Sequence, residues 1–233
     1  MTERQYNILA EIVRLYAESA EPVGSLTLAD YFELSPATIR SEMAALERGG
    51  YIYQPHISAG RVPTDTGYRV FVNSRKDDHM LSGRGANTIT KRVVSLKDRT
   101  DAAIKIAAET ISDMTGNTAF ATLSDSVYFY GLSQLFSQPE FVDQVRSSEA
   151  ARFLDAMQEW LFSHELHDDL AVFIGHENPV VKAGGITVVG SRFRSPYSDS
   201  SYIGIVGPTR QSYGKVIGLV DLAGRKLEEV LND

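Results

Sequence analysis

Cysteine is absent from the 233-residue sequence, which excludes disulfide bonds, thiolate chemistry and zinc sites built on cysteine. Long apolar runs are also missing, because none approaches the roughly 20 residues that cross a bilayer. The first five residues lack the apolar core of a signal peptide. These absences predict a cytoplasmic protein that has no membrane segment and needs no metal or other cofactor.

Basic residues are in the minority, with 23 Lys and Arg against 30 Asp and Glu, for a net charge of −7. Residues 1–76 hold 8 basic and 9 acidic residues, whereas the remainder holds 15 and 21. The net charge of neither part attracts nucleic acid. Any nucleic-acid contact therefore requires arginines that are collected on one face.

The clearest local pattern lies in residues 35–61. Ser35 is a good helix N-cap, Pro36 suits the first helical position, and two glycines from Gly49 onward stop the helix. The apolar stripe of this helix consists of Ile39, Met43 and Leu46. The opposite face is small and polar, which is typical of a helix whose backbone approaches another molecule closely.

A short β-rich segment and a turn interrupted by proline follow this helix, as in a winged helix. DNA-reading helices combine short residues with a few arginines and polar groups for base edges and phosphates. We predict that the helix contacts DNA through Ser35, Ala37, Thr38, Arg40, Ser41 and Arg48. We predict that the wing contributes His56, Ser58, Gly60 and Arg61, with Arg61 reaching a minor groove or a phosphate.

The rest of residues 1–73 completes a three-helix core around this motif. Thr2 and Gln5 form a capping box for a first helix, and Ser25 caps a short second helix. A helix over 63–72 is expected to return against the first one. The simpler alternative for the surface is that Arg40 and Arg48 only pair with neighbouring glutamates or solvent, and that the winged helix serves protein contacts.

The second part of the chain predicts an α+β domain with an antiparallel sheet flanked by helices. Residues 74–87 are polar and charged, which indicates a linker. The apolar spacing then predicts one long helix over 88–115 that is able to pair with a second copy. Strands are predicted at 119–123, 127–130, 170–174, 185–189 and 203–206, and helices at 148–162 and 212–231. Trp160 is expected in the core.

The sequence contains weak candidates for enzymatic or metal sites. His164 and His167 are three residues apart and lack a third ligand, so a solvated helix end is the better interpretation. Residues 198–201, rich in serine, are predicted as a polar loop without a nucleophile-elbow pattern. Residues 207–210 lack the lysine and glycine spacing of a P-loop and predict a turn. We expect no catalytic activity.

Several strings resemble the heat-inducible transcription repressor HrcA family of bacteria. In the first part these are EPVGS, SPATIR and QPHISAGRVPT, and in the second GLS, QPEF, IGHENP and GIVGPTR. The resemblance implies a winged-helix DNA-binding domain over residues 1–73 and a GAF-like regulatory and dimerisation domain over residues 88–233.

The resemblance also implies a function. Members of this family are dimeric repressors that bind an inverted-repeat operator upstream of chaperone genes and are kept active by the GroE chaperonin. They carry a dimerising domain inserted in the GAF-like fold, whereas here residues 124–126 alone join the two predicted strands. The expected homodimer must therefore use another surface. The alternative is a metabolite-responsive regulator whose GAF-like domain binds a ligand.

Overall fold

The structure, a computed structural model, describes residues 1–74, 83–163, 168–179 and 184–232. The chain divides into two units, one of residues 1–78 with 209–212 and one of residues 79–208 with 213–233. The first unit contains α1 (Glu3–Ser19), α2 (Ser25–Phe32), α3 (Pro36–Arg48), β1 (Ile52–Tyr53), β2 (Val62–Pro63) and α4 (Asp65–Ser74). This is a three-helix core followed by a two-stranded wing and a returning helix, so the predicted winged helix is confirmed.

Local side-chain chemistry sets where the helices of the first unit begin. The capping box of α1 is confirmed, because the Thr2 hydroxyl accepts from the Gln5 N–H and the Gln5 side chain accepts from the Thr2 N–H. Ser35 caps α3 by accepting from the Thr38 N–H at 3.1 Å. The predicted short helix α2 is present, but its predicted cap was wrong, since Gly24 is the N-cap and Ser25 the first residue of the helix.

The core of the first unit lies between α1, α2, α3 and the wing. Its fully buried members include Ile8, Leu9, Ile12, Leu28, Ile39, Leu46 and Ile52. The wing is tied to the start of α4 by Thr64, whose hydroxyl donates to the Gly50 carbonyl at 2.6 Å and accepts from the Gly67 N–H at 3.0 Å. The burial of the α3 stripe leaves the opposite face of that helix toward solvent.

The second unit is an antiparallel sheet between two helical layers. Its helices are α5 (Gly83–Val94), α6 (Thr100–Thr115), α7 (Leu132–Phe136), α8 (Gln144–Ser163) and α9 (Tyr213–Asn232). Its strands are β3 (Thr118–Leu123), β4 (Ser126–Tyr130), β5 (Leu170–Ile174), β6 (Ile186–Ser195) and β7 (Ser198–Pro208). The strand order is β4-β3-β7-β6-β5, and all pairs are antiparallel. The predicted α+β class is confirmed.

Successive residues of the central strands are buried on opposite faces of the sheet. Phe120, Val188 and Val206 pack against α8 in a cluster that includes Trp160, whose ring meets Phe173 edge-on at 5.7 Å. The alternate residues of these strands, such as Val189, are buried as well, on the face covered by α6 and α9. The core position expected for Trp160 is confirmed.

The prediction of one long helix over 88–115 was wrong. Helix α5 ends at Val94, and a turn containing the bonds Leu96 N–H to Val93 O and Arg99 N–H to Leu96 O leads into α6. Ile89 and Val93 are buried, and so are Ala107 and Ile111 on α6. The apolar stripe is therefore shared by two helices that pack on each other within one chain.

The strands β6 and β7 are longer than predicted. Residues 198–201, expected in a polar loop, belong to β7 and pair with the end of β6. The Ser195 and Ser201 hydroxyls lie 2.7 Å apart and are buried, so the two residues satisfy each other across the hairpin. His164 and His167 lie outside the described residues, as does most of the predicted linker. None of the described helices has the length and apolarity of a membrane span.

Candidate nucleic-acid interface

The outward face of α3 carries the residues expected to read DNA. Ser35, Ala37, Arg40, Ser41 and Arg48 are exposed, and Thr38 is half-buried. The Ser35 hydroxyl is occupied by its cap and lies 2.8 Å from the Thr38 hydroxyl. Arg40 lies in the second turn of the helix and Arg48 at its last residue, so the two guanidinium groups mark both ends of one exposed strip.

The glutamates of α3 do not neutralise these arginines. Glu42 accepts from the Gln5 side chain at 3.1 Å and pairs with Arg4 at 3.5 Å, both on α1. Glu47 pairs with Arg61 of the wing at 2.9 Å. Within the described part of the chain, Arg40 and Arg48 have no ion-pair partner. The surface of α3 therefore presents local positive charge although the first part of the chain is not basic.

Two hydrogen bonds within the wing loop hold its shape between β1 and β2. The Gln54 side chain donates to the Ala59 carbonyl at 3.0 Å, and the Ala59 N–H donates to the His56 carbonyl at 3.0 Å. Ser58 takes a left-handed backbone conformation with φ of 73° at the tip. His56 and Ser58 are exposed, as a contact with DNA would require.

Gly60 and Arg61 have structural partners inside the first unit. A Cβ on Gly60 would lie 2.4 Å from the Val23 carbonyl, so the wing passes too close to the preceding turn for a side chain. The Arg61 backbone exchanges two hydrogen bonds of 2.9 Å with Val23. The Arg61 side chain is 19% exposed, and its guanidinium donates to Glu47 from Nε at 3.1 Å and from a terminal nitrogen at 2.9 Å. In this structure Arg61 fastens the wing to α3.

Sequence reasoning missed the most exposed part of the wing. Ile57 at the tip is 93% exposed, which is unusual for an isoleucine. The signal was present, since this apolar residue stands between Pro55 and the serine, alanine and glycine of a tight turn. Ile57 is therefore a further candidate for a contact made by the wing.

One groove in the second unit bears on the ligand-binding alternative. It has a volume of about 810 Å³ and lies beside β6 and α9. Arg192, Arg194 and Arg225 in its lining each pair with a neighbouring carboxylate, those of Asp169, Glu228 and Asp221 respectively. A lining of paired surface charges differs from the mostly apolar wall of typical small-molecule sites. Across residues 1–74, 83–163, 168–179 and 184–232, no three metal-ligating side chains converge.

Taken together, a capped helix with exposed arginines, a two-stranded wing and a separate sheet domain are the features of a winged-helix DNA-binding regulator. Residues 1–77 match the family model described as winged helix-turn-helix transcription repressor, HrcA DNA-binding, and residues 75–217 match the HrcA protein C terminal domain. The chain belongs to the HrcA family of heat-inducible transcription repressors, as the resemblance implied. This is a family of repressors, not of enzymes.

Relatives with this description align along the whole chain. The heat-inducible transcription repressor HrcA of Desulfitobacterium hafniense is 26% identical, over 99% of this chain and 98% of that protein. The heat-inducible transcription repressor HrcA of Halalkalibacterium halodurans is 25% identical, over 100% of this chain and 98% of that protein. These alignments span 343 and 339 positions, which a chain of 233 residues fills only in part. This chain is therefore a short form.

Other similarities are local or concern the fold alone. The repressor of Beutenbergia cavernae is 46% identical over 112 residues, which make up 46% of this chain and 32% of that protein. A crystal structure of a hypothetical protein at 2.2 Å resolution superposes with a TM-score of 0.76 at 17% identity, over 99% of this chain and 98% of that one. The architecture is thus one already found in a solved structure.

Proposed function

We propose that this chain represses chaperone genes by binding an inverted-repeat operator as a homodimer and blocking the promoter. The observation that carries the proposal is the exposed strip of α3, where Arg40 and Arg48 have no carboxylate partner among the described residues. Such a strip attracts the DNA phosphates locally, which the negative net charge of the chain does not do. Since the partner is chromosomal DNA, the proposal places the protein in the cytoplasm.

The individual contacts follow from where each residue lies on α3 and the wing. Arg40 stands near the helix end that normally enters the major groove, with Ala37 and Ser41 as its small neighbours on that face. Its guanidinium is suited to the edge of a guanine, whereas Arg48 at the far end is suited to a phosphate. His56, Ser58 and Ile57 approach the duplex from the wing.

Release on heating and recovery with chaperonin help complete the proposal. The family description is heat-inducible, so the repressor is expected to lose its DNA-binding state when temperature rises. Assistance by the GroE chaperonin, which the resemblance implies, would couple recovery of the repressor to spare chaperonin. A chain whose folding yield and operator binding are unchanged by added GroE and ATP would contradict this part.

A metabolite-responsive regulator is the second candidate, and its ligand would have to bind the charged groove beside β6 and α9. A ligand that binds only the folded chain raises its unfolding temperature. A thermal-shift screen of anionic and cationic metabolites separates the two candidates. Stabilisation by one metabolite, lost in Arg192→Ala, would support the sensor over the heat-controlled repressor.

Binding to DNA at two salt concentrations tests the proposal directly. The probe is the promoter fragment of the chaperone genes in the source organism, with a scrambled fragment of equal length as control. We expect tighter binding to the promoter and a steep loss of affinity with salt, because phosphate contacts release counterions. A footprint that is not an inverted repeat, or equal affinity for both fragments, would contradict the proposal.

The pair Arg61–Glu47 predicts a specific double-variant result. Arg61→Ala is expected to weaken binding several-fold on any DNA sequence, because Glu47 is then left unpaired beside the phosphates. The unpaired Glu47 carboxylate repels the phosphates. Adding Glu47→Ala removes this repulsion and is expected to restore most of the affinity. If Arg61 instead contacts phosphate itself, the double variant stays as weak as the single one. Electrophoretic mobility shifts on operator and scrambled DNA distinguish the two outcomes.

A further inference from the structure

The sheet of the second unit ends at β4, whose outer edge carries unpaired backbone groups. A two-residue turn joins β3 to β4, so the closing pair Leu123 and Ser126 exchanges its hydrogen bonds internally. Hydrogen-bonded pairs alternate along the ladder, which turns the N–H and C=O groups of Val127 and Phe129 away from β3. In the described ranges neither residue has another hydrogen-bond partner.

The opposite edge of the sheet is covered by the chain itself. On β5 the outward N–H of Ile174 donates to the Glu177 carboxylate at 2.9 Å, and Val172 is also partnered. None of the described residues covers the outer edge of β4 in this way, and the strand itself contains no lysine, proline or bulge. Proteins normally protect an edge strand with a covering segment, a lysine, a proline or a bulge, because an open edge pairs with further strands.

We propose that β4 pairs antiparallel with β4 of a second copy of this chain and joins the two sheets across a two-fold axis. This pairing rests on the proposed function in one respect, because an inverted-repeat operator requires two copies of the chain. Val127 then lies opposite Phe129 of the second copy, and Phe129 opposite Val127. This register uses every outward group of both strands in four hydrogen bonds, and no other two-fold register does so.

The side chains suit this pairing on both faces. Val127 and Phe129 pack on the core cluster under α8, so the two Val–Phe pairs extend that core across the axis. β-branched and aromatic residues are favourable cross-strand neighbours. Tyr128 falls opposite Tyr128 of the second copy on the other face, where its hydroxyl donates to Glu109 at 3.2 Å. The strand carries no charge, so identical copies do not repel each other.

The pairing also fits the connection between β3 and β4. Only Ser124 and Asp125 join the strands, which leaves no room there for the inserted dimerising domain that the resemblance implies. A short connection leaves the edge of β4 accessible. The short form therefore replaces an inserted domain with direct strand pairing.

Cross-linking tests the register, because the chain has no cysteine of its own. In the proposed register two cysteines introduced by Tyr128→Cys face each other at a distance that permits a disulfide. Val145→Cys, at an exposed position on α8, is the matched control. After mild oxidation of the full chain we expect a covalent dimer for the first variant only. Equal cross-linking of both variants, or none, overturns the register.

Sedimentation tests the interaction itself. Val127→Pro removes an outward N–H without touching the β3 ladder, and Tyr128→Lys places two ammonium groups face to face while keeping Glu109 as a local partner. Each is expected to weaken the dimer about tenfold or more with an unchanged circular dichroism spectrum. Val145→Lys, with the same charge change on α8, is expected to leave the dimer intact.

The outcomes separate this proposal from the proposed function. A dimer that survives both edge variants, or a wild-type chain that stays monomeric while it binds its operator, overturns strand pairing and leaves DNA binding standing. A dimer sensitive to both edge variants in a chain that does not recognise an operator supports strand pairing and contradicts the repressor.

Discussion

Arg40→Ala is expected to lower the affinity for operator DNA about 10- to 100-fold, because a bidentate contact to a base edge contributes roughly 1–3 kcal/mol. Affinity for scrambled DNA should fall much less, so the preference between the two sequences nearly disappears. Arg40 is exposed and has no carboxylate partner in the described structure, so its removal leaves the fold intact. Fluorescence anisotropy on both fragments measures the effect.

Two further variants make the Arg40 result specific. Arg40→Lys keeps the charge but loses the planar fork of donors, so it should retain non-specific affinity and still lose the operator preference. Arg152→Ala removes an exposed arginine of α8 in the other unit and is expected to change neither affinity. An Arg40→Ala chain that keeps both its circular dichroism spectrum and its operator affinity would exclude Arg40 from the DNA-reading surface.

Gly60→Ala is expected to destabilise the winged helix by about 2–3 kcal/mol, in the range of overpacking a tightly filled site. The new Cβ would meet backbone atoms of Val23 at 2.4 Å and of Pro22 at 2.6 Å, and a backbone cannot rotate away as a side chain does. The two hydrogen bonds between Val23 and Arg61 are then strained or broken. For a domain of this size, a fall of roughly 10–20 °C in Tm follows.

The matched control for this prediction lies in the same contact region. Gly24 has a φ of −82° and open space at its Cβ position, so Gly24→Ala is expected to cost less than about 1 kcal/mol. Calorimetry of the full chain resolves the transition of the first unit. Equal transition temperatures for Gly60→Ala and the wild type would contradict the close approach between the wing and the turn.

The helices of the first unit were predictable because their signals are local. Ser35, Pro36 and the glycine after Arg48 act within a few residues, and the α3 stripe is confirmed by burial. Leu96 shows the opposite case. It continues the apolar spacing of α5 through a turn that contains neither glycine nor proline, so periodicity alone predicted an unbroken helix.

Partners that are distant in sequence could not be predicted. Residues 198–201 were interpreted as a loop because they are polar, whereas Ser201 and Ser195 satisfy each other only once the hairpin of β6 and β7 forms. Arg61 was identified as a surface residue by its type, but its partner Glu47 is fourteen positions away. The exposure of Arg40 followed from helix geometry. That Arg40 has no ion-pair partner in the described ranges depends on Arg4, Gln5 and Arg61, which contact the glutamates of α3 instead.

The contacts between Glu42 of α3 and the first residues of the chain have a practical consequence. Arg4 and Gln5 contact Glu42 of α3, the helix that we propose reads DNA, and Thr2 caps the helix that carries them. A purification tag joined ahead of Met1 would therefore stand close to the proposed DNA-reading helix and disturb the cap. Affinity measurements on this repressor are best made with a carboxyl-terminal tag, or after an amino-terminal tag has been removed down to Met1.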